Sequence, residues 1–343
     1  MTDDAPTPTG KTLKMRTPWV FATVLMLASP ALGNDSSASM GAGGLSFTTS
    51  SLIEIASETL VIGENEVHVS YDFRNTGKND ISTLVAFPLP DLEFNGDWNY
   101  GIESKDPINW IDFRVWADNK EVKPQVEARA TRLGIDVTDV LNRYGIPITL
   151  LDRDSNQMEV LDTKLNALPP EAKAELLRYG VVDWTSSWGA DNVPYPTTHW
   201  TSHIAFYWFQ TFPAGKTLHV EHRYRPVPGL SFVTQESLGD AYVRDGFCLD
   251  QTLREQVETR LKEAPDEMMR GAELRYVVTT GGNWLGPIGH FSLKIEKGAP
   301  DSIIATCWKD LKPSGGDAMA FEAENFQPQD DLRFLLVRPL EQD

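Results

Sequence analysis

Two separated stretches alternate strictly between apolar and polar side chains, and this constrains the chain more than any other feature. Val67, Val69, Tyr71 and Phe73 alternate with His68, Ser70, Asp72 and Arg74; Leu218, Val220, His222 and Tyr224 alternate with His219, Glu221, Arg223 and Arg225. A period of two sends successive side chains to opposite faces, so each stretch reads as a strand with one face in a core and the other toward water. Residues 75–80 then read as a turn and 81–87 as a returning strand, closed by Pro88 and Pro90, which have no N–H to give a ladder. Another strand carries Ile111, Phe113 and Val115 on one face, before a turn at Asp118-Asn119-Lys120. Residues 204–209 are apolar on both faces and fit a central strand covered by a second layer. Pro213-Ala214-Gly215-Lys216 supplies the hairpin turn into the second alternating stretch. Residues 274–280, 291–295, 302–307 and 334–337 add strands toward the C-terminus.

The period changes in two places. Residues 137–144 and 161–168 are short helical segments, and Pro169-Pro170 opens a better one that runs to a stop at Gly180. Leu249, Leu253, Val257 and Leu261 recur every four residues, which predicts a longer helix over 248–263 with one apolar stripe. The expected fold is therefore mainly β: antiparallel sheets packed as sandwich-like modules, with a small helical insertion and one longer helix. The boundaries follow as a leader at 1–33, an N-terminal β module at 34–132, a helical insertion at 133–180 and a β-rich module at 181–343.

The first 33 residues read as a cleavable export signal. Lys11, Lys14 and Arg16 precede an apolar run over 19–28, and Ser29-Pro30-Ala31-Leu32-Gly33 supplies small residues before a cleavage point at Asn34. Ten strongly apolar residues are too few for a comfortable bilayer span, which needs roughly 20, so no stable membrane span is expected after cleavage. The expected location is the periplasm. Removing Asp3, Asp4, Lys11, Lys14 and Arg16 takes the formal charge from −18 to −19. A surface so acidic repels nucleic-acid phosphate, which argues against a nucleic-acid partner. Cys248 and Cys307 are the two cysteines, and in an oxidising compartment they are a disulfide candidate; two separate buried thiols are the alternative.

No chemical motif stands out. His199 and His203 have the spacing of a helical zinc pair but lack the helix and its glutamate, so no metal site and no cofactor are expected. His219 and His222 point to opposite strand faces, and His222 reads as a hydrogen-bonded core imidazole. Asp152-Arg153-Asp154-Ser155-Asn156 resembles the opening of a calcium loop but has Gln157 and Thr163 where that loop needs glycine and glutamate. Trp184, Trp188 and Trp200, in a segment dense with aromatic residues, are candidates to line a ligand groove, as is Trp284 in its glycine-rich loop. Core packing is the competing role for each.

Asn34-Asp35-Ser36-Ser37-Ala38, Gly41-Ala42-Gly43-Gly44-Leu45, Val85-Ala86-Phe87-Pro88-Leu89-Pro90, Gln210-Thr211-Phe212-Pro213-Ala214-Gly215 and Gly282-Asn283-Trp284-Leu285-Gly286-Pro287-Ile288 together resemble a bacterial secreted family, domain of unknown function number 4424. The resemblance implies an exported protein and carries no catalytic residues. The expected role is non-enzymatic binding or structural support, with an envelope glycan, peptide or protein as partner. The alternative is a hydrolase of envelope glycan or peptide, which needs paired carboxylates in the groove.

Overall fold

The computed structural model describes residues 34–41, 44–95, 106, 109–149, 157–188, 193–315 and 317–340. The predicted leader, the Asp152–Asn156 segment and residues 42–43 of the glycine run lie outside the described residues, as does the side chain of Trp188.

The chain is mainly β, as its alternation predicts. An eight-stranded sheet runs in the order Lys312–Pro313, Ala318–Phe326, Ile288–Glu296, Ile53–Ile62, Val67–Asn75, Thr217–Tyr224, Arg114–Ala117 and Lys120–Val122. All its neighbours are antiparallel except Ile288–Glu296 against Ile53–Ile62. A seven-stranded sheet runs Ile135–Asp136, Gln125–Arg132, Trp200–Phe212, Ile81–Pro88, Ser36–Gly41 and Gly44–Thr48, with Leu92–Phe94 also paired to Trp200–Phe212. A four-stranded sheet, Gly229–Val233, Met269–Tyr276, Leu332–Pro339 and Ile303–Thr306, completes the core layers. Val182–Trp188 and Val193–Thr198 form a separate two-stranded ribbon. Residues 34–132 and 181–343 contribute strands to the same two large sheets.

The inward faces of the three sheets meet in one core. Tyr71, Phe73, Phe87, Phe113, Phe206, Phe212, Phe291 and Phe334 are all essentially inaccessible there. Alternation on the four-stranded sheet sends Ala272, Leu274, Tyr276, Phe334 and Leu336 into that core, and Met269, Leu335 and Val337 to a second, smaller one. The helix Gln251–Glu263 closes the smaller core with Val257 and Leu261. Asp250 caps it, accepting from the Leu253 N–H at 2.8 Å. Cys248 and Cys307 are bonded, with Cα atoms 5.0 Å apart.

The helical segments appear as Thr138–Arg143, Gln157–Asn166 and Pro170–Arg178, the last ending before Gly180 at φ +65°. Three local expectations need correction. The strand expected over 274–280 is Met269–Tyr276, and residues 279–283 instead form a 3₁₀ turn. The Asp331 carboxylate imposes that turn by accepting from the N–H groups of Val278 and Thr279 and from the Thr279 hydroxyl. Ile111 and Phe113 are buried but precede their strand, which starts at Arg114. Strand Trp200–Phe212 is covered on one face only along much of its length, and Phe209 projects into solvent.

One irregularity decides where a charge goes. Strand Ile53–Ile62 slips register between Ile55 and Ser57 against its antiparallel neighbour. The bulge inverts the alternation, so Ile53 and Ile55 face inward before it, whereas Glu58, Leu60 and Ile62 face inward after it. Gly289 of the parallel neighbour makes room for the bulge, since a Cβ there would stand 2.4 Å from the Ala56 carbonyl oxygen.

Candidate functional site

A built concavity lies where the three sheets come together, a cleft of about 400 Å³. Its floor is aromatic: Trp110, Tyr224 and Phe247 are buried yet line it. Its rim carries Phe232 and Tyr242, which are 64% and 54% exposed.

Charge enters the cleft from the four-stranded sheet. The alternation that sends Leu274 and Tyr276 into the main core turns Glu273 and Arg275 the other way, toward the cleft. The Glu273 carboxylate accepts from Arg275 Nε at 2.6 Å, Arg333 Nε at 2.8 Å and the Tyr242 hydroxyl at 2.7 Å. Burial pushes this carboxyl up, but the hydrogen bonds from Arg333 and Tyr242 and the charge of Arg275 outweigh burial and hold it below the usual range. The Arg333 guanidinium also lies over the rings of Tyr242 and Phe247, at 4.6 and 4.4 Å from their centroids. Phe247 is followed directly by Cys248, so the disulfide anchors this wall of the cleft to the segment after Ile303–Thr306.

A second constellation sits beside the rim. His203 Nδ1 lies 2.6 Å from Asp91 Oδ1, and His203 Nε2 lies 2.8 Å from Thr131 Oγ1. Asp91 also lines the cleft. The order hydroxyl, imidazole, carboxylate is that of a nucleophile with its base and orienting acid. Thr131, however, pairs with Asp136 on one side and Thr201 on the other. Its backbone therefore lies in sheet ladders and not at a turn where amides converge on an oxyanion.

A third cluster is wholly interior. Asn34, Asp35, Glu58 and His222 are inaccessible to solvent. Asn34 Nδ2 donates to Glu58 Oε2 at 2.9 Å, and the Tyr71 hydroxyl donates to Asn34 Oδ1. His222 Nε2 is 3.4 Å from Asp35 Oδ2. Burial pushes the Glu58 carboxyl up to about 8 and the His222 imidazole down to about 3. Among the described residues, no group of three or more His, Cys, Asp or Glu side chains is arranged to hold a metal ion.

Trp184, Trp200 and Trp284 do not line the cleft. Trp200 is buried and stacks on Phe94 at 5.3 Å. Trp284 is buried, donates to the Asp35 carbonyl at 2.7 Å and packs on Phe73 at 4.8 Å. Trp184, on the ribbon strand Val182–Trp188, is half-buried, donates to Asn166 Oδ1 at 3.1 Å and lies under Lys173 Nζ at 5.6 Å. Trp188 ends the strand Val182–Trp188. The cleft's own rings come from segments with no shared sequence signal, although Phe232 and Tyr242, flanking a polar turn, could have been singled out as rings without an obvious strand partner.

A family model described as a domain of unknown function (DUF4424) matches residues 33–335. Among solved structures, a candidate nutrient binding protein from Legionella pneumophila is similar with a TM-score of 0.40 and 15% identity, over 89% of this chain and 71% of that one. An M1 zinc metallopeptidase from Deinococcus radiodurans is similar with a TM-score of 0.17 and 9% identity, over 86% of this chain and 44% of that one. No curated protein matches the sequence. Overlays this loose speak for neither the ligand of the first nor the zinc chemistry of the second.

Proposed function

We propose that this chain, which belongs to the DUF4424 family, is an exported binding protein that takes a small amphipathic molecule in the cleft between its sheets. The observation that carries the reading is the cleft itself. Its volume of about 400 Å³ falls in the range of small-molecule sites, and its lining of apolar rings with a few fixed polar groups is the usual composition of such sites. Glu273, Arg275, Arg333 and Tyr242 hold one another in place before any ligand arrives, so little ordering entropy remains to oppose binding. The aromatic floor takes the apolar part of the ligand, and Arg225, Arg275 and Asp91 supply polar contacts at the edge. Export and a periplasmic location are supported by the cationic and apolar leader and by a disulfide between two exposed cysteines.

Native mass spectrometry of protein purified from the periplasm tests this. The expected result is a bound mass that leaves on denaturation and is absent from a Phe232→Ala, Tyr242→Ala double variant. Protein that carries no ligand and, when screened against small-molecule mixtures, captures none contradicts the reading.

The Thr131, His203 and Asp91 arrangement favours a second reading, a hydrolase in which His203 takes the Thr131 proton as the hydroxyl attacks an acyl carbon and returns it to the departing alcohol or amine, after which water releases the acyl group from Thr131. That reading requires turnover of an activated ester such as p-nitrophenyl acetate. It also requires that the turnover disappear in Thr131→Val and His203→Ala alike.

A further inference from the structure

The charges of the interior cluster do not balance. Both carboxylate oxygens of Asp35 and Oε1 of Glu58 are buried without a hydrogen-bond partner. His222 is the one cation-forming side chain at Asp35 among the described residues, and neither of its ring nitrogens is within hydrogen-bonding geometry of a partner. Its ring is enclosed by Tyr71, Phe87, Phe113 and Trp208, surroundings that favour the neutral imidazole. Among the described residues, no lysine or arginine pairs with either carboxyl group. Buried carboxylates left this way are costly unless a cation reaches them.

The start of the described chain is built into the same place. The Asn34 backbone nitrogen donates to Thr280 Oγ1 at 2.6 Å, and the Thr280 hydroxyl donates back to the Asn34 carbonyl at 2.7 Å. Gly281 permits the approach, since a Cβ there would stand 2.9 Å from Asn34 Nδ2. Trp284 holds the Asp35 carbonyl, and Asn283 Nδ2 donates to Ser36 Oγ at 2.8 Å. Five consecutive positions, 280–284, therefore supply four side-chain or close-packing contacts to residues 34–36.

We propose that Asn34 is the first residue of the working protein and that its α-ammonium is the counter-ion of Glu58 and Asp35. A leader peptidase hydrolyses the Gly33–Asn34 amide: water gives its hydroxyl to the Gly33 carbonyl and a proton to the Asn34 nitrogen, which takes a second proton from solvent to become an ammonium. An amide N–H offers one hydrogen, and Thr280 uses it. The ammonium offers three, which leaves two more hydrogens for a cluster in which oxygens of Asp35 and Glu58 lack partners and the Asn34 side chain already reaches Glu58. Maturation thus completes the core: in the precursor the buried carboxyl groups have no cation to pair with, and removal of the leader supplies one. This inference rests on the export reading above.

The test compares a chain released without scar to begin at Asn34 with the same chain carrying Gly-Ser before Asn34, each also as an Asp35→Asn, Glu58→Gln double variant. Urea unfolding at neutral pH is expected to give the free-amine chain an unfolding constant roughly a hundred-fold smaller than the extended chain, as for a buried charge that regains its partner. The gap should collapse in the double variant. Acylation by a succinimidyl ester, followed by mass spectrometry of the N-terminal peptide, should modify the α-amine in urea and spare it in the native protein. Equal stability of the two chains overturns the proposal, as does native labelling at the unfolded rate; the labelling result decides even if the extended chain fails to fold. The intact mass of the periplasmic protein separates the two readings. A periplasmic protein beginning at another residue overturns the ammonium and leaves export standing, whereas a full-length chain confined to the cytoplasm overturns export.

Discussion

Reducing the Cys248–Cys307 bond should destabilise the protein by about 4 kcal/mol. The two residues lie 59 apart in sequence, and opening a loop of that length returns about that much chain entropy to the unfolded state. Both cysteines are exposed, so a phosphine reductant can reach the bond without unfolding the chain. Cys248 sits at φ +49°, in the left-handed region where a side chain costs about 1 kcal/mol, and that strain is present with or without the bond. Urea unfolding followed by tryptophan fluorescence should therefore show the reduced protein and Cys248→Ser, Cys307→Ser sharing one midpoint, well below the oxidised protein. Cys248→Gly, Cys307→Ser should recover part of the loss, up to about 1 kcal/mol, because glycine accepts positive φ. Ligand affinity should fall on reduction as well, since Phe247 on the cleft wall is the neighbour of Cys248. A reduced protein within about 1 kcal/mol of the oxidised one would refute the reasoning, because the loop would then be restrained in the unfolded state by something other than the bond.

Two further outcomes follow from the interior. In a chain extended before Asn34, Glu58 has its carboxyl raised from 4.5 to about 8 by burial; its stabilising contribution is complete below 4.5 and is lost as pH rises through about 8, a change of about 5 kcal/mol. Asp35, also raised by burial and by the charge of Glu58, acts in the same direction. His222 acts oppositely: held neutral down to about 3, it contributes fully above 6.5 and loses that contribution as pH falls through about 3. Urea midpoints of the extended chain should peak in the mildly acidic range and fall toward pH 9, with Glu58→Gln flattening the alkaline limb; a profile level from pH 5 to 9 contradicts this. Gly289→Ala should destabilise by roughly 2 kcal/mol or more, because its Cβ meets the Ala56 carbonyl at the bulge, whereas Gly282→Ala, with open space around it, should leave the urea midpoint nearly unchanged. Equal midpoints for the two variants would contradict the packing argument.

Elements whose burial follows local periodicity were legible in the sequence. Val67–Asn75 and Thr217–Tyr224 bury the residues that their alternation predicts, and Val257 and Leu261 bury the stripe of the long helix. The 3₁₀ turn at 279–283 was not legible, because the carboxylate that imposes it belongs to Asp331 on a distant segment. The inward turn of Glu58 was hidden for a related reason: one extra residue at the bulge inverts the parity of the strand, and the glycine that allows it lies more than two hundred positions away. The cleft draws Trp110, Tyr224, Phe232, Tyr242 and Glu273 from five separate stretches, and nothing local marks any of them as neighbours. Of the tryptophans that do cluster in sequence, Trp200 and Trp208 are buried in the core.

A crystal structure of the protein purified from its native cells, without added ligand, tests the binding account most directly. The account predicts density for a small molecule between Trp110, Phe232 and Tyr242, with its polar end toward Arg275. A cleft filled by inward rotation of Phe232 and Tyr242, in a protein that still holds the Glu273 ion-pair cluster, would contradict it.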